Sequence, residues 1–222
     1  MNTAHATISI AFDLDGTLID SAEIKCYAFG KLFRHYGPDI ENAVMQDHLR
    51  HEGVSRFIKF ERWYLNFLGL DYSDDIGREL SRQYNQIISD QIDSAPWMPG
   101  ALEFIQEWHA KLPLYLASAT PHDELQQFLE RRSLTVFFRS AWGFPTAKHD
   151  ALLQIIAELH SEPTAILMIG DAEADYHASL VAGVSFCRFM HSTSAWPLQR
   201  ELYPVLFNMN QIPGLYSLLS SL

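Results

Sequence analysis

Two aspartates follow a short apolar run near the start of the chain. The run Thr7–Phe12 has the texture of a buried strand, and it ends abruptly at Asp13, Leu14 and Asp15. Taken alone, an Asp-x-Asp-Gly turn is also typical of a capped loop. Carboxylates at the end of a buried strand are nevertheless a functional signal, because buried charge is costly unless something binds it.

Polar side chains also follow two later strand-like segments and begin one later helical pattern. Ser118 follows a strand-like run, Lys148 precedes the helical pattern, and Asp171 follows a second strand-like run. Asp175 comes one helical turn after Asp171, so both side chains can face the same way. Ser118 by itself could equally cap the helix expected after it.

Strands and helices alternate through the second half of the chain. Strands are expected at Leu112–Ala117, Ala165–Ile169 and Ser185–Phe189, and helices at Ala101–Ala110, Pro121–Arg132, about 147–160 and about 172–182, with a short apolar segment at Val136–Phe138. This order predicts an α/β fold with a Rossmann-like parallel sheet covered by helices on both faces. Ligands of such sheets bind beyond the carboxyl ends of the strands, where the polar residues above would converge.

Residues 20–95 have a different texture, with long helical patterns and no convincing strand. The stripe Phe57, Phe60, Trp63, Tyr64, Phe67 has helical spacing and is expected to form the core of this inserted part. A turn-rich segment, Pro96–Gly100, closes it. An apolar stretch at 215–222 is expected to be either core or contact surface.

Composition limits the class of partner. The formal net charge of −11 argues against nucleic acid or an anionic membrane surface as a partner. An anionic substrate would therefore need local positive charge, which a divalent cation can supply. No apolar run approaches the length of a membrane span. We find no charged-then-apolar leader signal, and two cysteines do not indicate an oxidising compartment, so a cytoplasmic location is expected.

These motifs together resemble the haloacid dehalogenase-like hydrolase superfamily, in its phosphatase branch with a helical (C1-type) cap, similar to phosphoglycolate phosphatases. The first motif is Asp-Leu-Asp-Gly-Thr-Leu-Ile-Asp-Ser from residue 13, and the others supply Ser118, Lys148 and the Gly-Asp-Ala-Glu-Ala-Asp segment that contains Asp171 and Asp175. The resemblance implies a catalytic core of residues 1–19 and 96–222 and a helical cap of residues 20–95. It also implies Mg²⁺-dependent hydrolysis of a small-molecule phosphate monoester.

Roles for the motif residues follow from the same resemblance. Asp13 would attack phosphorus and become an aspartyl phosphate, while Asp15 would protonate the leaving oxygen and then deprotonate water. An aspartate at position 15 favours phosphate esters over carbon–halogen bonds. Ser118 and Lys148 would complete the catalytic set.

The remaining positions would bind metal or phosphate. Mg²⁺ would be held by Asp13, the backbone carbonyl of Asp15, and Asp171. Phosphate would be bound by Gly16, Thr17, Ser118, Ala119 and Lys148. Asp175 would orient a metal-bound water or Lys148.

The cap would supply specificity, and the segment that joins two of its helical patterns offers His51, Arg56 and Lys59 as candidates. The ten histidines suggest no zinc site, because no His-Glu-x-x-His or Cys-plus-His cluster is present. Two alternatives stay open: a phosphomutase similar to β-phosphoglucomutase, and a non-catalytic binding protein on this fold. The sequence specifies neither the phosphorylated metabolite nor the oligomeric state.

Overall fold

A computed structural model describes residues 9–190, 196–197 and 202–213. The strands are β1 (Ser9–Phe12), β2 (Leu114–Pro121), β3 (Ser140–Phe144), β4 (Ile166–Gly170), β5 (Ser185–Phe189) and β6 (Val205–Leu206). The helices are α1 (Ala22–Phe33), α2 (Pro38–Arg50), α3 (Arg56–Trp63), α4 (Asp74–Asp93), α5 (Ala101–Trp108), α6 (His122–Arg131), α7 (Lys148–Leu159) and α8 (Glu173–Ala182). The predicted apolar stretch at 215–222 lies outside the described residues.

The six strands form one parallel sheet in the order β3-β2-β1-β4-β5-β6. The α/β class predicted from the alternation is confirmed. In the ladders around β1, Phe12 is level with Leu116 of β2 and with Ile169 of β4. The chain beyond these three positions therefore lies at the same edge of the sheet. β2 continues to Pro121, so Ser118, which was expected to follow this strand, lies within it.

Each face of the sheet buries its own set of side chains, because successive strand residues point to opposite faces. Ile10 and Phe12 pack on one side with α5 and α6, whereas Ala11 packs on the other side with α7 and α8. Burial on both faces explains why β1 and β4 read as continuous apolar runs.

Helices α1 to α4 pack around a third cluster, which is rich in aromatic side chains. Phe60 and Trp63 of the predicted stripe are fully buried there, and Tyr64 and Phe67 pack at its margin. Phe57 instead stacks on Phe144 of the sheet unit, with ring centroids 5.3 Å apart. The stripe thus contributes to the helical core and also to the contact between the two units.

The chain enters and leaves the helical unit through two adjacent segments. Ile19 and Trp97 form an antiparallel bridge, and the Asp20 amide donates to the Pro96 carbonyl at 2.8 Å. The insertion therefore begins and ends side by side, and we propose residues 20–95 as a cap on that basis.

Two strands were not predicted. The structure places a 3-10 turn at Thr135–Phe137, where an apolar segment was expected, and the strand β3 follows it. β3 is a half-buried edge strand containing glycine, so it has neither an apolar run nor a clean alternation. β6 has only two residues, too few for a periodic signal. Among the described residues, no helix has the length and apolarity required to cross a membrane.

Candidate active site

Three buried aspartates meet at the carboxyl edge of the sheet. Asp13 follows β1, Asp171 follows β4, and Asp175 lies in the first turn of α8. One carboxylate oxygen from each lies within 4.8 Å of the others. The convergence predicted from strand order is therefore present in the structure.

Lys148, the first residue of α7, joins this group. Its Nζ is 3.0 Å from Oδ2 of Asp13 and 2.5 Å from Oδ1 of Asp175. Burial disfavours the ammonium, but the two carboxylates outweigh burial and raise the pKa of Lys148 above its ordinary value. Lys148 is therefore a fixed positive charge beside Asp13.

The surroundings of Asp13 disfavour its ionised form. Burial raises its pKa well above the ordinary value, and the neighbouring carboxylates of Asp175, Asp171 and Asp15 add to this against the attraction of Lys148. Its Oδ1 is buried and has no hydrogen-bond partner among the described residues. An orphaned carboxylate oxygen beside further buried carboxylates fits a hard divalent cation, which prefers oxygen ligands.

Asp175 anchors Lys148 rather than facing the cavity. Its Oδ2 accepts a hydrogen bond from the Ala172 amide at 3.1 Å, while Oδ1 accepts from Lys148. A Cβ atom at position 170 would lie 2.4 Å from the Asp175 carboxylate, so only glycine allows this approach. Both Asp175 oxygens are thus already engaged.

Asp15 is held by three donors. Ser21 Oγ donates to Oδ1 at 2.7 Å, Thr120 Oγ1 donates to Oδ2 at 3.2 Å, and Lys25 Nζ lies 2.5 Å from Oδ2. Burial raises the pKa of Asp15, but Lys25 and the hydrogen bonds together lower it below its ordinary value. Lys25 was missed in the sequence, although it lies one helical turn after Ser21, whose carbonyl accepts its amide.

Two residues expected to bind phosphate have other contacts. The Gly16 amide donates to the Ile19 carbonyl at 2.9 Å, so this N–H is committed within the turn. Gly16 instead gives space, because with φ of +77° a Cβ there would lie 2.4 Å from Oδ2 of Asp171. Thr17 is fully buried and donates to Asp171 Oδ1 at 2.8 Å, which orients that carboxylate.

The other two phosphate candidates lie nearby. Ala119 lines the same cavity as Asp13 and Asp171. Ser118 is buried, and its Oγ accepts a hydrogen bond from the Thr120 amide at 3.1 Å. Ser118 and Lys148 line an adjacent cavity between the two units.

The cavity over Asp13 has a volume of about 50 Å³ and is lined by residues of both units. Its lining from that unit includes Lys25, Phe29, His48, Glu52, Gly53, Val54, Arg56, Lys59 and Tyr84. Several basic groups thus face a single small space, although the chain is acidic overall.

Arg56 reaches this cavity but is already bound. Its guanidinium forms a two-point ion pair with Glu124 of α6, with Nη2 to Oε2 at 2.8 Å and Nη1 to Oε1 at 3.3 Å. It also donates to Asn85 at 2.7 Å and lies 4.5 Å from the ring centroid of Tyr84. Arg56 therefore links the helical unit to the sheet unit.

The other two cap candidates differ in position. His51 is largely exposed, pairs with Asp47, and is not among the cavity-lining residues that the structure describes. Lys59 is 2% exposed, and its Nζ is 2.9 Å from Nδ1 of His48. Burial, followed by the charge of Lys25, lowers the pKa of Lys59 to about 7, and burial with Lys59 holds the pKa of His48 well below its ordinary value.

The chain is similar to several known proteins. The chain is 28% identical over 186 residues to a phosphoglycolate phosphatase of Vibrio vulnificus, covering 78% of this chain and 79% of that protein. It superimposes on a predicted phosphoglycolate phosphatase from Haemophilus somnus with a TM-score of 0.75 at 17% identity, covering 97% of this chain and 100% of the other. A β-phosphoglucomutase from Clostridium difficile gives a TM-score of 0.74 at 20% identity, covering 96% of each chain.

These two structural likenesses show the fold alone. The family model described as haloacid dehalogenase-like hydrolase matches residues 10–189, which include Asp13, Lys148 and Asp175. The resemblance inferred from the motifs is confirmed, and the chain belongs to the haloacid dehalogenase-like hydrolase family.

Proposed function

We propose that the protein is a Mg²⁺-dependent phosphatase that hydrolyses a small-molecule phosphate monoester through an aspartyl phosphate on Asp13. The observation that carries this proposal is the environment of Asp13. Its Oδ2 lies 3.0 Å from Lys148 Nζ, and its buried Oδ1 has no hydrogen-bond partner in the part of the chain that the structure describes. The Vibrio relative, named a phosphoglycolate phosphatase, supports the reaction class.

A carboxylate and a phosphate dianion repel each other, so attack requires positive charge on both. Lys148 supplies one such charge and holds Asp13 in place. Mg²⁺ held by Asp13, the Asp15 carbonyl and Asp171 would supply the other, and it would favour the ionised form of Asp13. Thr17 and Gly16 serve this site by orienting Asp171 and by leaving it room.

Asp15 is the proposed proton carrier. In this proposal Asp15 donates a proton to the leaving oxygen and later accepts one from water. Its position two residues after Asp13 and in the lining of the same cavity supports the role. Lys25, Ser21 and Thr120 orient its carboxylate. Ser118, Ala119 and Lys148 are proposed to contact the phosphoryl oxygens.

Residues 20–95 are proposed to act as a cap that excludes water and selects the leaving group. The small cavity favours a small substrate. Arg56 and Lys59 remain specificity candidates, whereas the position of His51 gives it no contact with the cavity. The cytoplasmic location stays a prediction from the sequence.

The test is replacement of the nucleophile. Asp13→Asn should abolish Mg²⁺-stimulated phosphate release and the acid-stable label that wild-type enzyme retains when quenched during turnover of a ³²P-labelled ester. Asp20→Asn, which changes an exposed aspartate of the same motif, is the matched control and should retain both. Circular dichroism verifies folding, and phosphate release by Asp13→Asn at the wild-type rate would contradict the mechanism.

A phosphomutase would use the same motif residues. The two reactions differ in their products, since a hydrolase releases one inorganic phosphate for each ester consumed. Loss of a sugar phosphate with formation of its isomer, and without inorganic phosphate, would identify the mutase instead. A non-catalytic protein would release no phosphate from any ester with Mg²⁺.

A further inference from the structure

Three lysine or arginine side chains of the helical unit line the cavity, and they differ in what neutralises them. Lys25 pairs with Asp15, and Arg56 pairs with Glu124. Among the described residues, no carboxylate oxygen lies within ion-pair distance of Lys59, whose hydrogen-bond partner is the neutral ring of His48. Lys59 is therefore a buried cationic group without an ionic partner of its own.

The His48 ring extends this site. The ammonium form of Lys59 can only donate, so Nδ1 then accepts and the ring proton of neutral His48 lies on Nε2. His48 is 4% exposed, and its Nε2 has no hydrogen-bond partner among the described residues. Lys59 and His48 both line the cavity, so two hydrogen-bond donors belong to its wall, and a buried donor without an acceptor is costly.

The surroundings of Lys59 also disfavour its positive charge. Burial and Lys25, with a smaller contribution from Arg62, disfavour the charged form of Lys59, whereas Glu52 and Asp47 favour it less strongly. The pair lies on α2 and α3 of the helical unit, whereas Lys148 and its aspartate partners belong to the sheet unit. An anion placed here would gain charge-assisted hydrogen bonds and would satisfy both donors.

We propose that Lys59 and His48 bind a carboxylate on the leaving group, so that the substrate is a small phosphorylated carboxylic acid. This inference rests on the proposed phosphatase activity. One carboxylate matches the site in charge, since one lysine and one neutral histidine carry at most a single positive charge.

The test compares two esters of nearly equal size. The enzyme is assayed with Mg²⁺ on 2-phosphoglycolate and on 2-hydroxyethyl phosphate. The second ester has a hydroxymethyl group in place of the carboxylate of the first. The variants are Lys59→Met and His48→Gln, and Lys31→Met is the control, because Lys31 is an exposed cation on α1 that does not line the cavity.

Wild-type enzyme should prefer the acid ester, and Lys59→Met should lower kcat/KM for that ester by about ten- to a hundred-fold. The neutral ester should change by less than about two-fold, and Lys31→Met should match wild type on both esters. His48→Gln should lose less than Lys59→Met, again on the acid ester. Equal losses on both esters, or no preference in wild type, would overturn the carboxylate site while leaving the phosphatase proposal intact.

Binding provides a readout that does not depend on turnover. Calorimetry on Asp13→Asn with Mg²⁺ should show tighter binding of 2-phosphoglycolate than of 2-hydroxyethyl phosphate. The double variant Asp13→Asn, Lys59→Met should bind the two esters with equal affinity. If phosphate release fails for every ester, including p-nitrophenyl phosphate, the phosphatase proposal fails. The binding comparison still decides whether Lys59 and His48 recognise a carboxylate.

Discussion

Replacing Lys59 with methionine should stabilise the protein in the absence of ligand, although the same change removes a proposed binding group. Lys59 has a pKa of about 7 in the fold against 10.5 for an ordinary lysine. The unfolded chain therefore binds this proton more tightly, and folding at neutral pH works against that preference. At 1.36 kcal/mol per pKa unit, the cost at pH 7 is about 4 kcal/mol.

Methionine fills a similar volume without charge. It leaves Nδ1 of buried His48 without its donor, which costs about 1–3 kcal/mol, so Lys59→Met should gain about 1–3 kcal/mol in the free energy of unfolding at pH 7. Because the pKa of Lys59 is lowered in the fold, the stability cost of its charge is largest at and below pH 7 and disappears as pH rises towards 10.5. Between pH 7 and 9.5 the advantage of the variant should shrink by about 3 kcal/mol.

Urea unfolding of wild type and Lys59→Met at pH 7 and 9.5, without Mg²⁺ or phosphate, measures these quantities. The comparison between variants cancels other groups that titrate in this range, provided they do not contact Lys59. Lys31→Met should follow wild type at both pH values, because Lys31 is exposed. A Lys59→Met variant less stable than wild type at pH 7, or a stability difference that does not change with pH, would refute the reasoning.

Two further predictions concern residues that orient the aspartates. Thr17→Val keeps the side-chain shape but removes the hydroxyl donor to Asp171, so the Mg²⁺ concentration for half-maximal activity should rise about ten-fold or more; an unchanged Mg²⁺ requirement in a metal titration would contradict this role. Lys25→Met removes the ion pair that holds Asp15, so kcat should fall by at least about ten-fold on aryl and metabolite esters alike. Steady-state kinetics measure kcat and KM, and a rise in KM with unchanged kcat would instead assign Lys25 to leaving-group binding.

Much of the fold was predictable because its signals are local. β1 and β4 read as apolar runs, since both faces of a central parallel strand are buried. The edge strand β3 and the two-residue β6 gave no such signal, because half-burial and short length remove the periodicity. Their pairing depends on neighbours that are already in place.

The sequence by itself determined which residues meet around Asp13. Parallel strands place their carboxyl ends at one edge, so Asp13 and Asp171 had to converge once the strands were recognised. Lys148 was recognised as a cation at the start of a helical pattern, which is α7 in the structure. Strand polarity is a property of the chain order, and it can be read without coordinates.

Only the tertiary structure decided the partners of the basic residues in the cap. Arg56 is 68 residues from Glu124, and Lys59 is 11 residues from His48. No helical or strand period connects these pairs, because they come from different helices whose packing angles depend on the whole buried cluster. Within the described residues, that packing gives Arg56 a carboxylate partner and gives Lys59 a histidine ring instead.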